Sequence, residues 1–411
     1  MTGGSDARQR YEQLVEQREA LVAASGPIVA GFSATTDALH RVSDAALERL
    51  MTAGHVGSDT FGQGLATLRR WLLEGRDGEL FIDDEDAEPL LEQLAGAPER
   101  VQCGGTSIQA CWSWSSLGLA PLLALTNRSE RQLRATAEHV RVIAAGEPIT
   151  VRRVTPVPGP VVPSNHVLEL TRGTSGGGVT VARSSRITVV LARKRLQLDP
   201  GFLTRSAALV RDGVGLVSGL NGIGRAREAA VPQVAEAAAG WRAGGARLVH
   251  LELAEYAGAG ELGRVMELVG EHVDSVGMNA SELNRLVGAG DPAHVAAAFA
   301  AEHKLARVVV HADEWAMSVH RRDPEREELA LAAGSLAAAN RAEAGEPRGS
   351  WVIPDHSSLA VEIPPAGPVT HGYRASVVAT PYLVTPRSTI GLGDTFVSGD
   401  LLVQASSADL N

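Results

Sequence analysis

The 411-residue sequence holds only two cysteines, Cys103 and Cys111, so it carries neither a disulfide framework nor a Cys-x-x-Cys metal knuckle. Reduced thiols in a cytoplasmic protein are the expectation. Aromatic residues amount to just 4%, few for a sandwich of exposed strands. No run approaches the ~18 uninterrupted apolar residues of a membrane span. Charges are spread through the N-terminal stretch from Asp6 to Glu19, so neither a secretory leader nor a membrane anchor is expected. An excess of basic residues is missing too: the formal net charge of −10 argues against a general affinity for nucleic acid or anionic lipid. What remains is a chain that is 44% apolar and 21% charged, rich in Ala, Gly, Val and Leu. That mixture can bury a large core and suits helices packed on a parallel sheet, an α/β class.

Along the chain, 6–24 reads as a polar helix, and the apolar run 28–32 as a first buried strand leading into a helical pattern from Asp37 to about Leu50. Residues 76–100 are acidic and irregular around Asp83-Asp84-Glu85-Asp86, and a helix begins after Gly104-Gly105. The stretch 150–200 is rich in Val, Thr, Pro and Gly, with strand-like runs at 166–171, 178–182 and 186–192 that suggest a small β excursion. From 203 onward the alternation is regular, with strands at 214–217, 247–251, 275–277 and 308–311 and helices at 224–243, 258–271, 280–287 and 292–303. This is the rhythm of a doubly wound sheet. A helix at 325–343, strand-like runs at 360–363 and 376–384, and a terminal helix complete the chain.

Three segments carry chemistry. In Thr389-Ile390-Gly391-Leu392-Gly393-Asp394-Thr395, two glycines before a helix let the backbone approach a ligand, and the free amides of the helix start suit a phosphate. Asp394 then stands where it can accept a proton from an attacking hydroxyl; its plainer role would be to cap the helix. In Asn279-Ala280-Ser281-Glu282, amide and carboxylate are three apart on one face of a helix's first turn, placed to organise water around Mg²⁺ or simply to form a capping box. In His250-Leu251-Glu252 the His and Glu share a strand face at a strand end, where open α/β sheets gather ligands, although His250 and His311 also read as ordinary core or rim histidines. The basic clusters Arg152-Arg153 and Arg193-Lys194-Arg195 could clamp a phosphate or be solvated surface.

Together these segments resemble the ADP-dependent sugar kinases, the glucokinases and phosphofructokinases of the ribokinase superfamily. Ser388–Thr395 resembles that family's catalytic segment, and 274–283 its magnesium-associated Asn-x-x-Glu segment. Weaker similarity extends from about residue 27 to the C-terminus, through Gly31–Ala38, Gly104-Gly105, His166–Glu169, Arg183–Arg186, His250–Ala254 and Val309–His311. The resemblance implies a ribokinase-like doubly wound, mainly parallel sheet flanked by helices, with a smaller β-rich lid. The large lobe would comprise about 20–36, 101–149 and 203–411, and the lid about 76–100 and 150–200. It implies transfer of the terminal phosphoryl of ADP, with ATP left open, to a small carbohydrate. Asp394, Gly391 and Gly393 would serve catalysis, and Asn279, His311 and Leu392 the nucleotide. Glu252, Glu282 and Asp394 would serve Mg²⁺, while Asp37, Thr35, Gly104, Gly105, Thr106, Glu169 and Arg186 would meet the acceptor. The departures, Thr35, Thr106-Ser107 and Ser185, fall on the acceptor side, so the acceptor is expected to differ from plain glucose or fructose 6-phosphate.

Overall fold

Runs of Val, Leu and Ile too short for a helix lower their free energy by burying both faces in a parallel sheet. The computed structural model describes residues 3–408 except 55, 158–161, 192–195, 222–228 and 257. Its strands are β1 (Ile28–Gly31), β2 (Thr35–Arg41), β3 (Gly78–Phe81), β4 (Arg100–Gly104), β5 (Leu122–Leu123), β6 (Arg141–Ala144), β7 (Glu147–Thr150), β8 (Asn165–Leu170) and β9 (Ser175–Gly176). There follow β10 (Val179–Thr180), β11 (Ser185–Val190), β12 (Val214–Val217), β13 (Leu248–Glu252), β14 (Ser275–Asn279), β15 (Arg307–His311), β16 (Trp315–His320), β17 (Gly367–Pro368) and β18 (Arg374–Ala379).

Eleven strands form one sheet in the order β17-β18-β16-β15-β14-β13-β12-β1-β5-β6-β7. Neighbours from β15 through β6 are parallel, and only the flanking strands run antiparallel. Helices cover both faces: Phe32, Phe202 and Trp241 pack in one core layer, and Trp114, Val397 and Leu401 in the other. The chain proceeds from β1 to β5 on one side and later returns to β12 on the other. The strand order thus reverses beside β1, and the crevice outside the carboxyl ends is where such a sheet receives ligands.

Five strands make a second, smaller sheet in the order β3-β11-β8-β2-β4. Helices Asp44–Thr52, Asp59–Glu74 and Glu88–Ala95 bury one of its faces through Leu47, Leu65, Leu91 and Ile187. The other face turns toward the large sheet.

The helix expected from Asp37 to Leu50 divides in two. Residues 35–41 are β2, paired with β4 and β8, and only 44–52 are helical, capped by the Ser43 side chain on Ala46 N at 3.3 Å. Pairing on both edges outweighs the modest helix propensity of Asp-Ala-Leu-His. The small sheet also takes in β4, and both strands lie outside the ranges 76–100 and 150–200. Residues 76–100 are more regular than their acidity suggests, containing β3 and the helix Glu88–Ala95. The run 360–363 forms no strand, whereas 315–320 forms the unexpected β16.

Candidate active site

Between the two sheets lies a cavity of about 1120 Å³. The carboxyl ends of β13, β14 and β15 reach it with Glu252, Asn279 and His311. The start of the terminal helix brings Gly391 to Asp394, and the small sheet brings Thr35, Asp37, Glu79, Asn165 and Arg186. These groups are far apart in sequence and meet only through the fold.

The terminal helix spans Leu392–Ala405, with Gly391 at its N-cap in the left-handed region (φ +68°). A Cβ at 391 would also fall on the Arg341 guanidinium, so glycine is required there twice over. Asp394 is the third residue of the helix and does not cap it. Its carboxylate accepts a hydrogen bond from the Thr106 side chain and feels Arg341, Arg186 and His311. Burial nevertheless holds its pKa above the usual aspartate range. Arg341 is fully buried, yet it donates to Thr395 Oγ1 (2.9 Å) and Gln109 Oε1 (2.8 Å) and leaves Nε without a partner. A fixed positive charge thus stands behind the carboxylate while the carboxylate stays available to the cavity.

Glu252 is anchored from behind. His250 Nε2 lies 2.9 Å from its Oε2, Ser275 Oγ lies 2.8 Å from His250 Nδ1, and His311 Nε2 is 3.5 Å from Glu252 Oε1. Any Cβ at Gly277 on the adjacent strand would overlap Glu252 and His250, which shows how tightly the pair is packed. Asn279 and Glu282 do form the capping box: Asn279 Oδ1 accepts from Glu282 N and Glu282 Oε2 from Asn279 N, each at 2.8 Å. The cap and the cavity role coexist, because Glu282 also lines the cavity and its second oxygen has no hydrogen bond among the described residues. Burial pushes Glu282 up to about 7 and raises Glu252 as well; the Glu252 charge raises Glu282 further, and Asp394 and Asp400 do the same to Glu252. Two carboxylates that offer hard oxygen donors to one cavity are a donor set that suits Mg²⁺.

On the small sheet, Asp37 Oδ1 accepts from Asn165 Nδ2 at 3.0 Å. Gly104 does not line the cavity; a Cβ there would overlap the Asp37 carboxylate, so its contribution is space. Gly105 (φ +90°) turns the chain into the helix that Thr106 opens. Arg186 Nη1 bridges the sheets, donating to Thr389 O (2.7 Å) and Thr389 Oγ1 (2.8 Å). Thr35, Asn279, His311 and Leu392 all line the cavity, but Glu169 does not: it lies beyond Asn165 and Val167 on the same face of β8. Arg152 and Arg153 are exposed, and Arg183 pairs with Asp77 at 3.0 Å away from the cavity. Arg193-Lys194-Arg195 lies outside the described residues.

Sequence patterns left several participants unmarked. Arg341 sits near the end of an Ala-rich helix whose other charges lie at 325–328 and at Glu343, and no local pattern sets it apart from them. Gln197 binds Thr126 N (2.9 Å), Thr126 Oγ1 (2.6 Å) and Ala34 O (3.0 Å), fixing the cavity floor from an irregular segment with no motif. Glu255 accepts from Glu79 N at 3.4 Å, joining the loop after β13 to the small sheet.

Residues 65–403 match the conserved region of the ADP-specific phosphofructokinases and glucokinases. No curated protein matches the chain. Among solved structures, an ADP-dependent kinase complexed with fructose-6-phosphate and ADPβS superposes with a TM-score of 0.78 at 16% identity, covering 97% of each chain. A reconstructed last common ancestor of ADP-dependent phosphofructokinases from Methanosarcinales gives 0.75 at 16% identity, covering 98% of this chain and 99% of that one. A hypothetical ADP-dependent phosphofructokinase from Pyrococcus horikoshii OT3 gives 0.71 at 17% identity, with 93% and 98% covered. At such identities the superpositions establish the fold.

Proposed function

Because this chain belongs to the ADP-specific phosphofructokinase/glucokinase family of phosphotransferases, we propose that it transfers the terminal phosphoryl of ADP to a hydroxyl of a small, neutral, sugar-like polyol. One observation carries this reading: Asp394, at a glycine-rich helix start, shares a single cavity with Glu252, Glu282 and Asp37. Asp37 and Asn165 hold the acceptor by its hydroxyls and orient one of them toward Asp394. Asp394 accepts the proton of that hydroxyl as it attacks, and a raised pKa improves a carboxylate as a base. The amides at Leu392 and Gly393 and the Arg341 charge favour the negative charge of the transferring phosphoryl. Glu252 and Glu282, with Asn279 fixing the second, are the residues that would hold Mg²⁺, which when bound neutralises charge on the donor.

A neutral acceptor is favoured because Asp37, Glu79 and Glu255 line the small-sheet side, while the two arginines that line the cavity among the described residues are both engaged. Arg186 is held by Thr389, and Arg128 by Asp199 Oδ2 at 2.8 Å and Ile143 O at 2.7 Å. The second reading, a phosphorylated sugar, rests on those same two arginines. A panel of neutral and phosphorylated sugars, offered with ADP or with ATP in Mg²⁺ and read by the nucleotide product, tests the proposal. Accumulation of AMP with a neutral polyol supports it; turnover confined to sugar phosphates, or to ATP, overturns it.

A further inference from the structure

A second group of acidic and imidazole side chains lies behind the small sheet, on the face turned away from the cavity. Glu88 and Glu92 are four apart on the helix Glu88–Ala95 and so project from one side of it. His166, from β8, is fully buried beneath them, and ligand atoms of the three residues lie within 4.8 Å of one another.

The hydrogen bonds around His166 fix what it presents. His40 Nδ1 lies 2.9 Å from Gly96 O, and a carbonyl can only accept, so this nitrogen carries the proton. His40 Nε2 lies 2.9 Å from His166 Nδ1, so the ring-to-ring hydrogen bond occupies that nitrogen of His166. The other ring nitrogen, Nε2, is buried without a hydrogen-bond partner, 3.6 Å from Glu88 Oε1. A cation placed between that nitrogen and the carboxylate oxygens would give each of them a partner.

Glu88 is held in place by Arg131 Nη1, at 2.8 and 2.9 Å from its two oxygens, and by Ser164 N at 3.0 Å. The Glu92 side chain makes no hydrogen bond or ion pair among the described residues, and it supplies the negative charge that Arg131 does not offset.

We propose that Glu88, Glu92 and His166 form a binding site for a divalent transition-metal cation of the Zn²⁺ class, separate from the Mg²⁺ position in the cavity. One imidazole nitrogen with two carboxylates suits Zn²⁺, whereas Mg²⁺ takes oxygen ligands. His40, anchored on Gly96, is the outer partner that fixes the tautomer of the ligating ring. The bound cation joins the helix to β8 where Glu88 also reaches Arg131 and Ser164, and so stiffens the small sheet at its seat on the large one.

The test uses full-length protein stripped with a chelator and kept in excess Mg²⁺, titrated with Zn²⁺ by calorimetry. One Zn²⁺ equivalent is expected, retained in Glu282→Gln but weakened about tenfold or more in Glu92→Gln. Glu92 is half-buried, so that variant keeps the fold. Nitrogen NMR of the His166 ring gives an independent readout, with Nε2 shifting when Zn²⁺ is added. Equal Zn²⁺ binding by wild type and Glu92→Gln, or a wild type that binds none, overturns the proposal. So does a His166 ring protonated on both nitrogens and indifferent to Zn²⁺.

Discussion

Two buried arginines face two aspartates of the same terminal helix, and they are used in opposite ways. Arg307 is committed to its ion pairs: both Nη atoms bind Asp400, at 2.9 and 2.7 Å, and Nε sits 2.9 Å from the Glu327 carboxylate without forming a hydrogen bond to it. Arg341, just as buried, gives its hydrogen bonds to Thr395 and Gln109 and contributes only its field to Asp394. Six residues along one helix therefore separate an aspartate closed into a structural pair from one left facing a cavity. A buried carboxylate stays reactive when the nearest cation is held by other acceptors, because a direct bidentate pair would lower its basicity and occupy its lone pairs.

Exchanging the roles of the two ends should expose that contrast. Asp394→Asn should lower kcat by roughly 10²–10⁴, the scale of general-base catalysis. Its melting temperature at neutral pH should match or exceed that of the wild type, because a carboxyl whose folded pKa is raised loses stability as pH rises through its unfolded value. A variant with near-normal kcat would place the base elsewhere. Asp400→Ala should do the reverse, costing about 3–5 kcal/mol in urea unfolding, the range for removing one partner of a buried ion pair. An unchanged unfolding midpoint would show that Arg307 is satisfied without Asp400.

Gly391→Ala tests the link between backbone and base. Forcing a side chain into the left-handed region costs about 1–2 kcal/mol. Displacing the Arg341 guanidinium should also lower kcat on the order of 10²-fold if Asp394 shifts by about 1 Å. A pure stability loss with unaltered kcat would separate the glycine from the chemistry. The smallest effect is in pH. Asp394 must be ionised to accept a proton, so activity should fall on the acid side with a midpoint above the ordinary 3.8, and Asp394→Asn should lack that limb. A limb at or below 3.8 would mean that burial does not raise the Asp394 carboxyl above the ordinary aspartate value.

The same contrast explains what the sequence made legible. Strands β12 to β15 could be read because each is short, mostly buried and built around apolar residues between helical stretches. Asp394 stood out because the glycines beside it mark a helix start shaped for a ligand. β16 offered no signal: five of its six residues are buried regardless of polarity, so neither alternation nor a purely apolar run appears. β2 was hidden because its pairing partners β4 and β8 lie about 60 and 130 residues away, and local propensity carries no trace of them. Arg341 was invisible for a related reason: its value lies in what it does not bond, which no local pattern records. The capping box at Asn279 and Glu282 was legible as two rival readings, and the structure supports both the cap and the cavity position.

Three glycines carry a consequence of their own. Positions 104, 277 and 391 each leave room for one charged group, respectively Asp37, Glu252 and Arg341. In a saturation library selected for growth on the acceptor, these chemically silent positions should tolerate as little change as the charged residues they accommodate. A natural variant that keeps every carboxylate but places alanine at 277 would retain the motif letter for letter and still have lost the enzyme.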